Sequence, residues 1–342
     1  TVTNTNDAPT VANAISDAST NEDAAYSLSI SNVFTDVDSG DSCTYSMSGA
    51  PSTITLSSGT ISGTPVNADV GTHTIVVTCT DGSSASVSDS YVLTVVNTND
   101  APTVANPISD ATTAEDAVYS LDISSVFADV DSGDTLTYSV TTGPSSLTIS
   151  SGTITGTPTN DDVGAQTIVI TASDGTATVT DSYVLTVTNT NDAPTITSTA
   201  DTTAEEDDAY SYTTTASDVD VGDTVTLTCT TVPTWLSCTA GALTGTPSNS
   251  DVGSHAVVIT ATDVAGATAL DSFTIVVANA NDAPTVTSTA VTTATEDSVY
   301  TYTLTASDAD AGDTLTMSGT TVPSWLTFTA STGVLTGTPT ND

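Results

Sequence analysis

The sequence predicts an all-β protein made of tandem β-sandwich domains, and three observations predict it. The phrase NTNDAPT stands at Asn4, Asn97 and Asn189, and returns as NANDAPT at Asn279. The Asn of its NDAP core falls at Asn6, Asn99, Asn191 and Asn281, at intervals of 93, 92 and 90 residues. A period of that size is one small sandwich domain. Between the copies run short segments rich in Val, Ile, Thr and Tyr that alternate apolar and polar, and no stretch carries a helical period.

The elements repeat in a fixed order. Glu-Asp followed by a Tyr recurs at Glu22, Glu115, Glu206 and Glu296. DVDSGD at Asp36 and Asp129 becomes DVDVGD at Asp218 and DADAGD at Asp308. GTP recurs at Gly63, Gly156, Gly245 and Gly337, and DVG at Asp69, Asp162 and Asp251. THTIVVT (72–78), QTIVITA (166–172) and TYTLTA (301–306) read as strands, and SYVLTVV (90–96) as the strand that runs into a linker. Gly, Pro, Asp and Ser clusters between them suit turns. Seven short strands per repeat fit two packed sheets. The predicted boundaries are 1–9 for the end of a preceding repeat plus linker, then repeats at 10–100, 101–192 and 193–282, and an incomplete repeat at 283–342.

Composition narrows the function. The 342 residues hold 41 acids and no Lys or Arg, a formal charge of −41. Nothing here can neutralise phosphates, which argues against nucleic acid as a partner and against anionic membrane surfaces. The charge calls for relief from outside, and dissolved cations are the natural source. At 37% apolar residues with regular placement the chain reads as folded rather than disordered. No apolar run is long enough to span a bilayer, so no membrane insertion is expected in this segment. Enzyme readings fare badly. His73 and His255 hold one repeat position, where Gln166 stands in the second copy, which reads as a solvent-facing site. No phosphate-binding Gly loop and no GxSxG are present. Paired carboxylates could hydrolyse glycosides, but their return in every repeat argues for a structural role.

SDADAGDTLTM, STGVLTGTP, VITASDG and a last strand running into NTNDAP occur in the order of the cadherin repeat. VPTWLSCTAGALTGTP and VPSWLTFTASTGVLTGTP resemble the dystroglycan-type cadherin-like and Ig-like repeats of large bacterial and archaeal surface proteins. The resemblance covers essentially the whole chain. It implies Ig/cadherin-like β-sandwiches in an extended array, located outside the cell or on its surface. Two departures stand out. The linker is NDAP where true cadherins have NDNxP, and TNDDVG or NSDVG stands near the place of their LDRE phrase.

The resemblance also implies calcium. That ion takes six to eight hard oxygen ligands. Carried over residue by residue, a site before repeat one would use Asn6, Asp7, Asp36, Asp38 and Asp81. The first junction would use Glu22, Asn97, Asn99, Asp100, Asp129, Asp131 and Asp174. The second would use Glu115, Asn189, Asn191, Asp192, Asp218, Asp220 and Asp263. The third would use Glu206, Asn279, Asn281, Asp282, Asp308 and Asp310. The third Asp of each DxDxGD phrase (Asp41, Asp134, Asp223, Asp313) is a weaker candidate that could cap a turn instead. Asp17, Asp110 and Asp201 read as solvated surface. The bland alternative for every one of these residues is an Asx turn or a strand cap.

Cys229 and Cys238 sit on consecutive predicted strands, and Cys43 and Cys79 replace Leu136 and Ala172 on strands adjacent in a sandwich. Both pairs suit disulfides in an extracellular setting, with four buried thiols as the alternative. The chain as a whole reads as a stalk, adhesin shaft or surface filament stiffened by calcium. Its partners would be neighbouring repeats of the same longer chain or filament, with cell-surface glycans or proteins as possible ligands. A glycan- or protein-binding module is the competing reading, and clustered exposed aromatics would support it. The opening TVTNTNDAP matches Thr186–Pro194, the end of a repeat, which leads us to expect an excerpt of a longer array.

Overall fold

The structure is a computed structural model, and it describes residues 3–341. The stub Thr1-Val2 of the expected preceding repeat lies outside them. The chain divides into two compact units, Thr1–Asn189 and Thr190–Asp342.

The first unit holds two repeats. In the first repeat the strands are β1 (Thr10–Val11), β2 (Ala18–Asn21), β3 (Tyr26–Ser29), β4 (Phe34–Thr35), β5 (Thr44–Ser48), β6 (Ile54–Ser57), β7 (Thr60–Gly63), β8 (Gly71–Thr80) and β9 (Ser86–Val96). One sheet has the order β2-β9-β8-β5, the other β3-β7-β6, and β1 pairs with β4 apart from both. Nine strands appear where seven were expected, because the segments near Thr10 and Phe34 form a two-residue ladder of their own. All pairings are antiparallel except β2 with β9, which run parallel with Ala18 opposite Leu93 and Asn21 opposite Val96.

Alternation builds the core. Along β8, Ile75, Val77 and Cys79 point inward, and along β9, Tyr91, Leu93 and Val95 do the same. Ile54 and Ile61 meet them from the other sheet, and Ile30 from the loop just after β3. Each such side chain contributes roughly 1.5–3 kcal/mol when fully buried. The second repeat copies this arrangement around Ile154, Ile168, Ile170 and Leu185.

The second unit holds the third repeat, with sheets Thr203–Glu205, Thr268–Ala278, Gly253–Thr262, Thr226–Thr231 and Tyr210–Thr213, Ala242–Gly245, Leu236–Thr239. Its following residues form a three-stranded sheet of Tyr300–Thr303, Val334–Gly337 and Leu326–Thr329. The predicted strand 301–306 is broken there: it leaves this sheet after Thr303, and Ala306–Ser307 pairs with Thr285–Val286.

The recurring GTP phrase has a steric cause. A Cβ at Gly63 would overlap the Thr53 carbonyl oxygen, and at Gly156, Gly245 and Gly337 it would overlap those of Ser146, Trp235 and Trp325. Only glycine lets the two strands close here. The DVG phrase forms a 3-10 turn, Asn67–Asp69 in the first repeat, where Asp69 accepts from the Val66 N–H (3.0 Å) and the Thr53 hydroxyl (2.6 Å). Two bonded cysteine pairs, Cys43–Cys79 and Cys229–Cys238, replace apolar contacts found in the second repeat. Among the described residues no helix is long and apolar enough to cross a membrane.

Candidate metal centres

The Glu-Asp phrase ties three motifs together at one pole of each of the first three repeats. The Glu22 N–H donates to the Val96 carbonyl (3.0 Å), at the end of β9. Asp23 takes φ +58°, a left-handed turn that Asp tolerates, and donates its N–H to Pro65 of the GTP phrase (2.8 Å). Asp116 and Asp207 repeat this with Pro158 and Pro247. In these three repeats the Glu side chain lies inward: Glu22 and Glu206 are 2% exposed and Glu115 is 1% exposed, whereas Glu296, before the same turn at Asp297, is exposed.

In the first unit these groups meet the next repeat. Glu22 Oε1 accepts from the Thr98 N–H (2.8 Å), while its Oε2 has no partner. The Asp100 N–H donates to Asp131 Oδ2 (2.7 Å). Glu22, Asp100 and Asp131 each bring one carboxylate oxygen within 4.8 Å of the others. A second group, Asp129, Asp134 and Asp174, does likewise. It touches the linker through Asn99, whose amide donates to Asp174 Oδ2 (3.0 Å). Ahead of the first repeat, Asn6 and Asp7 donate to Asp81 and Asp38 (3.0 and 2.7 Å), and Asp36, Asp41 and Asp81 form a third group.

The second unit has two more. Asp218, Asp223 and Asp263 cluster beside Asn191, which donates to Asp263 Oδ2 (2.8 Å), and Asp192 donates its N–H to Asp220 (2.9 Å). Glu206, Asp282 and Asp310 cluster with Oε2 of Glu206 unpartnered. Asn279 donates to Asp310 Oδ1 (3.0 Å) and Asp308 accepts from the Asp310 N–H (3.1 Å). Asn281 folds back on the Asp282 carbonyl (2.8 Å). Asn97 and Asn189 are exposed in their linkers.

Several expectations change. Asp41, Asp134 and Asp223 stand inside the acid groups rather than merely capping turns, because the φ-positive glycine before each one (Gly40, Gly133, Gly222) curls the loop back on itself. Asp17 and Asp110 are exposed, as expected, but they also do structural work. They accept the Val92 and Val184 N–H groups at 2.8 Å, fastening the entering segment to the last strand. The His position is half-buried rather than solvent-facing. His73 and Gln166 each bond through the terminal nitrogen to the carbonyl of the Asp four residues earlier (2.7 and 2.8 Å), a role either side chain can fill. The sequence reading missed Asn67 and Asn249. Asn67 donates to Asp131 Oδ1 (2.6 Å) and Asn249 to Asp310 Oδ1 (3.1 Å). Their signal was the Asn that opens each DVG turn.

Electrostatics mark the groups as crowded. Burial, then Asp310 and Asp282, push the Glu206 carboxyl above its usual range. Burial and three neighbouring carboxylates do the same to Asp134. Asp263 and Asp81 are held low, first by the amides of Asn191 and Asn6. The donor set fits a hard divalent cation: carboxylates with spare buried oxygens and amides, with no His or Cys among them.

The "Putative Ig domain" family matches residues 8–96, 101–188, 193–278 and 283–342. The serine-rich adhesin for platelets of Staphylococcus aureus strain MRSA252 is 36% identical over 142 residues, which are 40% of this chain and 10% of that protein. The chain thus spans a small part of the curated relatives it matches. Among solved structures, the protocadherin gammaB7 EC3-6 cis-dimer is 19% identical at a TM-score of 0.48, over 98% of this chain and 93% of that one. An endo-fucoidan hydrolase of glycoside hydrolase family 107 is 25% identical at a TM-score of 0.30, over 75% of this chain and 42% of that one.

Proposed function

Because the chain belongs to the "Putative Ig domain" family in four successive copies, we propose that it is a non-enzymatic structural segment of an extracellular stalk or adhesin shaft, stiffened by calcium bound where repeats meet. The adhesin relative supports the surface role, and a share of adhesion itself belongs to this reading.

One observation carries the calcium part. Glu22 and Glu206 are almost wholly buried, each keeps a carboxylate oxygen without a partner, and each faces two further acids. No Lys or Arg exists in the chain to neutralise them. Leaving such carboxylates uncompensated is costly, and a bound cation removes the cost. Glu22, Asp100 and Asp131, with the second group Asp129, Asp134 and Asp174, would hold calcium at the first junction. Glu206, Asp282, Asp308 and Asp310 would do so later in the chain, and Asp36, Asp38, Asp41 and Asp81 ahead of it. Asp192, Asp218, Asp220, Asp223 and Asp263 complete the series in the second unit, and Glu115 is a further proposed ligand in the first. Calcium supplies charge neutralisation and fixed coordination, and the protein supplies oxygens from two successive repeats, so orientation becomes locked.

Aromatic side chains do not favour the ligand-binding reading. Trp235 is half-buried, edge-on to Tyr210 and His255. Extracellular modules with this chemistry bind calcium at about 10⁻⁴–10⁻³ M. Metal analysis and calorimetry on the purified chain should show saturable uptake in that range. Small-angle scattering should show a longer, stiffer particle with calcium than after chelation. Identical profiles would overturn the reading.

A further inference from the structure

The side chain of the asparagine that opens the DVG turn makes no bond within it: only its backbone carbonyl takes part, accepting from Val70 or Val252. The turn around Asn67 is held by Asp69, and the one around Asn249 by Asp251, which accepts from Ser248. The Asn amides instead reach into the following repeat. Asn67 Nδ2 donates to Asp131 Oδ1 (2.6 Å) and sits 3.4 Å from Asp100 Oδ2. Asn249 Nδ2 donates to Asp310 Oδ1 (3.1 Å) and sits 3.4 Å from Glu206 Oε1. In both places the same group of acids contains a 2%-exposed glutamate whose Oε2 lacks a partner.

A carboxamide has two faces. Its NH₂ satisfies carboxylates, and its oxygen is a neutral ligand for a hard cation. We propose that Asn67 and Asn249 are two-way latches. Without the ion, the NH₂ group bridges the acids of one repeat to those of the next and keeps the joint closed. With the ion, the same amide turns its oxygen to it. This rests on the calcium reading for its second half only. A carboxylate at this position would bind the ion more tightly, since ligand charge raises affinity. It would also add a negative charge to three others and force the ion-free joint open. The neutral amide therefore sets both a moderate affinity and a joint that survives ion loss.

The test uses the full ¹⁵N-labelled chain and two variants, Asn67→Asp and Asn67→Ala. In chelator, hydrogen exchange of the Asp100 amide, which donates across the joint to Asp131, should accelerate about tenfold in both variants, the loss of one hydrogen bond to a charged group. Exchange at Leu93, buried in β9, should stay unchanged and so exclude unfolding. In calcium titrations the site at this joint should tighten about tenfold in N67D and weaken about tenfold in N67A. Wild-type exchange at Asp100 in both variants would overturn the closing half with the calcium reading intact. No saturable calcium uptake by the wild-type chain would overturn the calcium reading and the ion-facing half, while the exchange arm still decides whether Asn67 holds the joint.

Discussion

Glu206 shows what a single carboxylate does in this chain. Its folded-state pKa is raised by burial and by Asp310 and Asp282. A raised pKa means that the folded state holds the proton more firmly than the unfolded state. Its favourable contribution is therefore present below the ordinary Glu range and fades as pH rises through the folded value. In chelator, the Glu206 carboxyl should titrate by NMR above that range, and with calcium below it. An unshifted curve in both would contradict the crowding argument. Glu206→Gln should correspondingly stabilise the ion-free protein and weaken calcium binding at that joint about tenfold, which thermal melts with and without calcium would read. The repeated Glu-Asp phrase singled out Glu22 and Glu206 as candidates because it keeps step with the linker, although repetition alone does not separate them from Glu296, which is exposed. Asn67 was not legible as a cross-joint group, because an Asn before DVG is what any turn would use. Only the fold shows that Asp69 already holds the turn. Asp17 lies on the surface as expected, but its bond from Val92, far along the chain, was not legible, because nothing in its neighbourhood announces it.

Among elements, the GTP loop joins the two sheets to the site. Its glycine lets the strand before it close on the Thr53 or Ser146 carbonyl, and its proline carbonyl accepts the N–H of the residue beside the buried Glu. Gly156→Ala should cost about 1–3 kcal/mol through forced overlap. It should also lower calcium affinity by disturbing Glu115. Urea denaturation with and without calcium measures both, and an unaffected midpoint would refute the steric account. The strands themselves were legible from alternation, as in β8 and β9. The short β1 and β4 pair was not, because two-residue ladders carry no period. The break after Thr303 escaped for another reason: an apolar, β-branched run looks the same whether it stays in one sheet or passes to another.

At the scale of the molecule, the absence of Lys and Arg governs behaviour. Trypsin has no site, so resistance to it reports nothing about folding. A protease that cleaves before Asp should cut at Asp100 and Asp282 soon after chelation and slowly in millimolar calcium, and equal cutting under both conditions would mean that the linkers are not clamped by metal. Tandem copies also mean that any pull on the polypeptide passes through each sandwich in turn. The parallel pairing of β2 with β9 then decides how a repeat yields. The chain enters at the head of one strand and leaves from the tail of its neighbour, so tension slides the two past each other along their length. The ladder bonds from Ala18–Leu93 to Asn21–Val96 must fail together in shear, where an antiparallel exit would let them peel one at a time. Force spectroscopy should therefore show a tall rupture peak for each of the first three repeats.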